Sequence, residues 1–398
     1  MRRRRSFRVL HIGLAVTAVT ALITSCSSAG SSSSPSGDSS SSGGAPYVWG
    51  INAELSGPVS FYGDQIAEGV QAYVNQVNAS GGINGRKIKL VELDNAASES
   101  RAAANQTQLA TADKAIAVFG SVLDAECDGS AVVAQRSQVP TACLTIGVAN
   151  PYIYGLGADN STGGPAVVSA VDKVTGNTSA KFAIMYNDLP PDITMNKDAA
   201  AAVGRRLVSS QQLGLTETDF SVPVAKVVAA KPDAVVVSAT GPAFVTILKG
   251  LRASGLTVPV IYVDGVVNAS SILPLNASNV YPMGEYPFVD PSTSDSYTAR
   301  FVAALKTTGA KITAASINGT PDTAYLAAAA FGTALKSCGA SCTGAKLADA
   351  LNKTMVSFGP LDPKFEYTAS KHSPWTAWYL YRLTNGTMEP VASFPIGG

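Results

Sequence analysis

The side chains able to do chemistry are few. Only His372 lies beyond the first 25 residues, and no Gly-x-Ser-x-Gly elbow accompanies it, so a nucleophile with an imidazole base is poorly supported. His, Glu and Cys nowhere cluster at metal-ligand spacing, and neither metal nor cofactor is expected. Asp124 and Asp264 are a carboxylate pair able to do acid/base work. As isolated acids after apolar runs they serve equally well as a helix N-cap and a turn residue. Tyr62 stands just beyond the Gly57-Pro58 turn, where a phenol offers an apolar wall with a polar tip. The chemistry left is recognition rather than catalysis.

Cysteines form two sequence-local groups, Cys127 with Cys143 and Cys338 with Cys342, apart from the solitary Cys26. Four cysteines allow three connectivities. In an oxidising compartment the local pairs are favoured over crossed pairs, free thiols or a four-cysteine zinc site. Closing the first loop adds about 3 kcal/mol in the chain-entropy model.

The chain opens with five arginines in its first eight residues, then an apolar run from His11 to Thr24. That run is too short to span a bilayer and reads as a secretion signal. Ile23-Thr24-Ser25-Cys26 resembles the lipobox of bacterial lipoproteins, which implies cleavage before Cys26 and a lipid on its sulfur. Arg4-Arg5-Ser6-Phe7 looks like a twin-arginine motif, though a plain basic leader accounts for it as well. Residues 26–46, mostly Ser and Gly, are expected to form a flexible tether. Without the leader, 24 Lys and Arg face 28 Asp and Glu, and no basic stretch survives. Nucleic acid is excluded as a partner on electrostatic grounds.

Strands are expected at Tyr47–Leu55, Lys87–Leu93, Ala115–Phe119 and Thr141–Thr145, with helices at Gln65–Ala79, Glu99–Ala112 and Glu126–Ser137. After Gly163-Gly164-Pro165 the order recurs, with strands at Phe182–Tyr186, Ala234–Ser238 and Val258–Val263. Helices are expected at Met195–Gln211 and Ala243–Ser254, and a shorter one near Val224–Ala230. Such alternation predicts α/β lobes, each a mostly parallel sheet with helices on both faces. Two further helices, around Tyr297–Leu305 and from Pro321 through Leu335, precede a hairpin of Thr376–Leu383 and Met388–Ala392 turning at Asn385-Gly386. The expected division is residues 47–160 with 286–360 in one lobe and 161–285 with 361–398 in the other, joined by a multi-strand hinge.

Glu54-Leu55-Ser56-Gly57-Pro58, Tyr62-Gly63-Asp64-Gln65, Gly69 and Gly81-Gly82-Ile83-Asn84-Gly85-Arg86, followed by Asp94, closely resemble the branched-chain amino-acid-binding family of bacterial transport proteins. Phe119-Gly120-Ser121, Asp264-Gly265 and Phe358-Gly359-Pro360-Leu361 carry the likeness to the end of the chain. The resemblance implies a type I periplasmic binding fold, a ligand between the lobes, no enzymatic activity, and an ABC-type permease as partner of a monomeric, membrane-tethered receptor. A ligand-sensing lipoprotein is the alternative. Family positions fall near Tyr62, Asp124, Ala149 and Asp264, with Ser121 and Thr145 as substitute hydroxyls if the register slips. Thr240 and Pro190-Pro191 stand where the family often has tyrosines. Asp124 puts negative charge where an amino acid's carboxylate should rest, and the loss of those tyrosines weakens the case for leucine, isoleucine or valine.

Overall fold

The computed structural model describes residues 44–144, 149–156, 160–264, 267, 269–275, 277–285, 288–290, 296–357 and 364–396. Cys26, the leader and Thr145 lie outside them.

Strand β1 (Tyr47–Ala53) is apolar at nearly every position and almost wholly buried, which suits a central strand covered on both faces. Helix α1 (Ser60–Ala79), β2 (Ile88–Asp94), α2 (Glu99–Thr111), β3 (Ala117–Gly120), α3 (Asp124–Ser137), β4 (Thr141–Cys143) and β5 (Ile153–Gly155) follow. The five strands form a sheet ordered β2-β1-β3-β4-β5, parallel throughout.

Next come α4 (Gly163–Thr175), β6 (Phe182–Asn187), α5 (Pro190–Val203), β7 (Leu207–Leu213), α6 (Ser221–Ala229) and β8 (Ala234–Ser238). They are followed by α7 (Gly241–Ala253), β9 (Val260–Val263), α8 (Ala269–Ile272) and β10 (Val280–Gly284). Helices α9 (Ser296–Lys306), α10 (Ala314–Ile317), α11 (Thr320–Cys338) and α12 (Gly344–Leu351) precede the short pair β11 (Met355–Ser357) and β12 (Lys364–Glu366), and β13 (Ala377–Thr384) and β14 (Thr387–Pro395) close the chain. The second sheet runs β14-β13-β10-β9-β8-β6-β7. Its hairpin β13–β14 pairs antiparallel onto β10. The result is the two-lobed type I periplasmic binding fold.

Each sheet has its own core. In the first, Trp49 on β1 stacks on Tyr73 of α1 with centroids 6.0 Å apart and tilts against Phe119 of β3 at 5.1 Å. Burial of each such ring contributes about 1.5–3 kcal/mol. Phe331 of α11 meets Phe119 at 4.7 Å, so the late helices complete the early sheet. Phe365, Tyr367 and Trp375 also pack in this core, and the return to the second sheet therefore comes with β13, later than residue 361. In the second sheet β8, β6 and β9 are fully buried Val, Ile, Ala and aromatic runs.

Several elements differ from the sequence expectation. Residues 195–211 do not form one helix: α5 ends before Gly204 and the chain turns into β7. Strand β7 is an edge strand whose Ser209, Ser210, Gln211 and Gln212 stay at least partly exposed, and polar edge residues carry no alternating apolar signal. Gly163-Gly164-Pro165, after which the order was expected to recur, itself opens a helix, α4, that the sequence reading did not assign. Strands β5 and β10 were also unforeseen, the first being only three residues long. Asp124 is the first residue of α3, and the N-cap position belongs to Leu123, without a side-chain bond.

Candidate functional site

The order in which the chain adds strands reverses at one place in each sheet, between the parallel neighbours β1 and β3 in the first and β6 and β8 in the second. Ligand crevices form at such switch points, beyond the carboxyl ends of the strands.

At the first, Glu54 directly follows β1, and its side chain is fully buried. Its Oε2 accepts a 2.8 Å hydrogen bond from the Val122 amide after β3, while Oε1 has no hydrogen-bond partner. Burial pushes this carboxyl up to about 7, against the lowering pull of the Val122 amide. Helix α1 closes tightly over it: a Cβ on Gly63 would stand 2.2 Å from the Glu54 carbonyl oxygen. Gly120 is pressed as closely, 2.1 Å from the Asn52 carbonyl oxygen by the same measure, with φ +145°. Ser121 follows at φ +52°, and its amide donates to the Asn52 oxygen at 2.9 Å. Buried Asn52 itself reaches Ala102 of α2 at 2.9 Å and Ser130 of α3 at 3.2 Å, locking both helices to the strand. Glu126 on α3 is held above its ordinary carboxyl range by burial, with repulsion from Glu99 and Asp124 adding to the effect.

At the second switch point, buried Asp192 in the first turn of α5 accepts from Ser238 Oγ at the end of β8, 2.7 Å away. Asp264 directly follows β9 and is anchored three ways. Its amide donates to the Met283 carbonyl at 3.1 Å, and its Oδ2 accepts from the Tyr262 hydroxyl at 2.7 Å and the Tyr62 hydroxyl at 3.5 Å. Tyr262 is held well above the ordinary phenol range by burial first, then by Asp264, Tyr62 and Asp192. Those carboxylates thus converge on one buried phenol.

The structure therefore brings Tyr62, in the first turn of α1, and Asp264, directly after β9, together from the two sheets. Ser121 is 1% exposed, with its hydroxyl aimed at the Asn52 carbonyl, 3.5 Å away. Thr240 is half-buried at the start of α7 and makes no capping bond. Ala149 is exposed and has no polar side chain to offer. The cysteines pair Cys127 with Cys143 and Cys338 with Cys342. Sequence reasoning missed Glu54 as a buried acid, Asp192 and Tyr262; a lone Glu directly after a β-run was the one available signal. Among the described residues no His, Cys, Asp and Glu group could hold a metal ion.

The family model for periplasmic binding proteins matches residues 49–387. An amino acid binding protein of Pseudomonas aeruginosa is 31% identical over 238 residues, covering 56% of this chain and 62% of that one. The Leu/Ile/Val-binding protein of Escherichia coli is 27% identical over 234 residues, 54% of this chain and 60% of the relative. The chain thus spans under two thirds of these curated relatives. Among solved structures, a branched-chain amino acid transporter substrate-binding protein from Streptococcus pneumoniae, bound to isoleucine, aligns with TM-score 0.71 at 21% identity, covering 88% of this chain and 99% of that one. A solute-binding protein of an R. palustris ABC transporter, bound to 4-hydroxybenzoate, aligns with TM-score 0.75 at 18% identity, covering 89% and 98%. With a family model that matches residues 49–387, nearly all of its folded body, the chain belongs to the periplasmic binding protein family.

Proposed function

We propose that this protein is the solute receptor of an ABC-type importer, binding a small polar organic solute between its lobes and catalysing no reaction. The observation that carries the reading is the contact of Tyr62, in the first turn of α1 beyond β1, with Asp264, directly after β9: the carboxyl-end sides of the two sheets meet where a solute would be enclosed. A polar solute loses its water on entry, so its groups need paired partners from both walls. Closure is then a hinge motion of two rigid lobes. The Ile23-Thr24-Ser25-Cys26 run and the Ser/Gly stretch after it support a lipid anchor on Cys26 and an extracytoplasmic location, with the permease as membrane partner.

Thermal-shift screening of the full chain against amino acids, amides, ureas and aromatic acids tests the binding reading. A true ligand at 100 times its Kd stabilises by about 2.7 kcal/mol. Small-angle scattering with the hit should show a more compact particle, and identical profiles would remove the closure mechanism. Acyl labelling that persists on Cys26→Ala would refute the anchor.

A further inference from the structure

The start of α11 lies between the two lobes. Helices α1 and α11 run side by side in the same direction: the Pro321 carbonyl presses on Gly69, the Tyr325 hydroxyl donates to Gln76 Oε1 at 2.7 Å, and Asn84, beyond α1, donates through Nδ2 to the Leu335 carbonyl at 3.1 Å. Gly69 stands two turns on from Tyr62 on the same helix face, which sets the first turn of α11 about 10 Å from Tyr62 along α1. On its other side the chain comes from α10, whose Ala314 and Ala315 pack in the second core with Ala269 and Ile272 of α8, the helix that follows Asp264. Asn318-Gly319-Thr320 is therefore a bridge from the Asp264 side to the Tyr62 side.

Thr320 opens α11, is 1% exposed, and its Oγ1 has no hydrogen-bond partner. Its neighbours are satisfied: the Thr323 hydroxyl donates to the Gly319 carbonyl at 3.2 Å, and Asn318 is bound to Val289 at both ends of its side chain. The helix end itself is uncapped, since Gly319 has no side chain to offer and Pro321 no amide. Buried hydroxyls are rarely left unpaired. Unlike Trp49 Nε1, which is also unpaired but enclosed in the first core, this one stands on a segment joining the lobes.

Resting on the solute-receptor reading above, we infer that Thr320 is a solute-contacting, specificity-determining residue, and that the solute carries a neutral hydroxyl or amide group at the end turned towards α11. The Tyr62–Asp264 contact at 3.5 Å holds the walls together, and parting the lobes on their hinge uncovers the segment between them. A threonine hydroxyl donates once and accepts at two lone pairs, so it matches a group that does both. A methyl in that place leaves it orphaned. Tyr62 and Asp264 hold the other end of the solute.

Calorimetry on the full chain compares solutes that differ at that one group: L-threonine with L-valine, L-asparagine with L-leucine, and 4-hydroxybenzoate with benzoate. In the pair that binds most tightly, the hydroxyl or amide member should lead by about tenfold or more, because its analogue leaves the site's polar group unpaired. Thr320→Val, of the same shape, should bring that ratio to within about twofold by weakening the polar member alone, and Thr320→Ser should restore it. Since valine removes an unpaired buried hydroxyl, the melting temperature of the unliganded variant should hold or rise. A ratio unchanged in Thr320→Val, or a tightest pair led by its apolar member, overturns the assignment and leaves the receptor reading standing. A fall of several degrees in the unliganded melting temperature shows a structural partner for the hydroxyl and overturns it as well. If no pair binds, the hit of the wider screen and its analogue lacking the polar group take their place, and silence from that screen removes both readings.

Discussion

Asn318 grips Val289 by both main-chain groups: the Val289 amide donates to Oδ1 at 2.5 Å and Nδ2 donates to the Val289 carbonyl at 2.6 Å. One residue earlier, the Phe288 amide donates to the Tyr381 hydroxyl on β13 at 2.8 Å. This short segment lies between β10 of the second sheet and α9, which packs in the first core. The crossing is thus pinned to each lobe within two residues. Nearby, Ala314 and Ala315 lean on the second core while Ile317 belongs to the first.

Asn318→Ala strips partners from a buried amide and a buried carbonyl, and should destabilise the fold by about 2–4 kcal/mol. Asn318→Asp keeps the acceptor but sets a carboxylate against the Val289 oxygen, and should recover little. Urea denaturation checks both. A loss below about 1 kcal/mol in the alanine variant would show that the clamp adds nothing to the crossing.

Glu54 carries a pH signature of definite sign. Its carboxyl, ordinarily near 4.5, is raised to about 7 by burial, with Glu126 of α3 facing it. From about pH 4.5 to 7 the unfolded chain ionises while the folded one keeps the proton, so stability falls with rising pH by roughly 3 kcal/mol and levels off above. Below pH 4.5 both states are protonated and the contribution is complete. Glu54→Gln cannot titrate, so its stability relative to the native protein should improve by about that amount between pH 4.5 and pH 8. Parallel pH slopes in chemical denaturation would remove the buried carboxyl from this role.

How much of this could be read from residues alone is clear from particular cases. The approach of Tyr62 to Asp264 was legible because each lies beyond a strand end, and parallel sheets gather strand ends on one face. Central strands such as β6 and β8 announced themselves as unbroken apolar runs. Strand β7 did not, since an edge strand with polar faces has no period to detect. Glu54 reads as an ordinary surface acid. Its burial depends on Gly63 letting α1 rest on the Glu54 backbone and on Val122, 68 residues away, supplying the amide. Asn318 and Val289, 29 residues apart, meet only through the chain's crossing between cores, which no local pattern encodes.

The two disulfides should differ in worth. Cys127–Cys143 ties α3 to β4 across 16 residues, whereas Cys338–Cys342 closes only 4 at the end of α11. In the chain-entropy model these loops are worth about 3 and about 2 kcal/mol. The first also braces the loop beside the crevice, where the Leu144 amide donates to the Ser121 carbonyl at 2.9 Å. Paired Cys→Ala variants, compared by thermal unfolding without reductant, should rank in that order, with solute affinity reduced only for the first pair. The reverse ranking would contradict this account.

Tyr262 offers the sharpest separation between holding a binding residue and merely filling a core. Its hydroxyl donates to Asp264 at 2.7 Å from a fully buried ring, and the ring stacks on Phe244 with centroids 4.3 Å apart. Tyr262→Phe keeps the stack and removes the donor. Asp264, still tied through its amide to the Met283 carbonyl at 3.1 Å, then keeps its place in the backbone but loses the bond that orients its carboxylate. Folding stability should drop by about 1–3 kcal/mol from the weakened buried bond. Solute affinity should fall as well, by less than in Asp264→Asn because the charge survives. A purely packing role predicts unchanged affinity in Tyr262→Phe, so calorimetry on the two variants side by side decides between them.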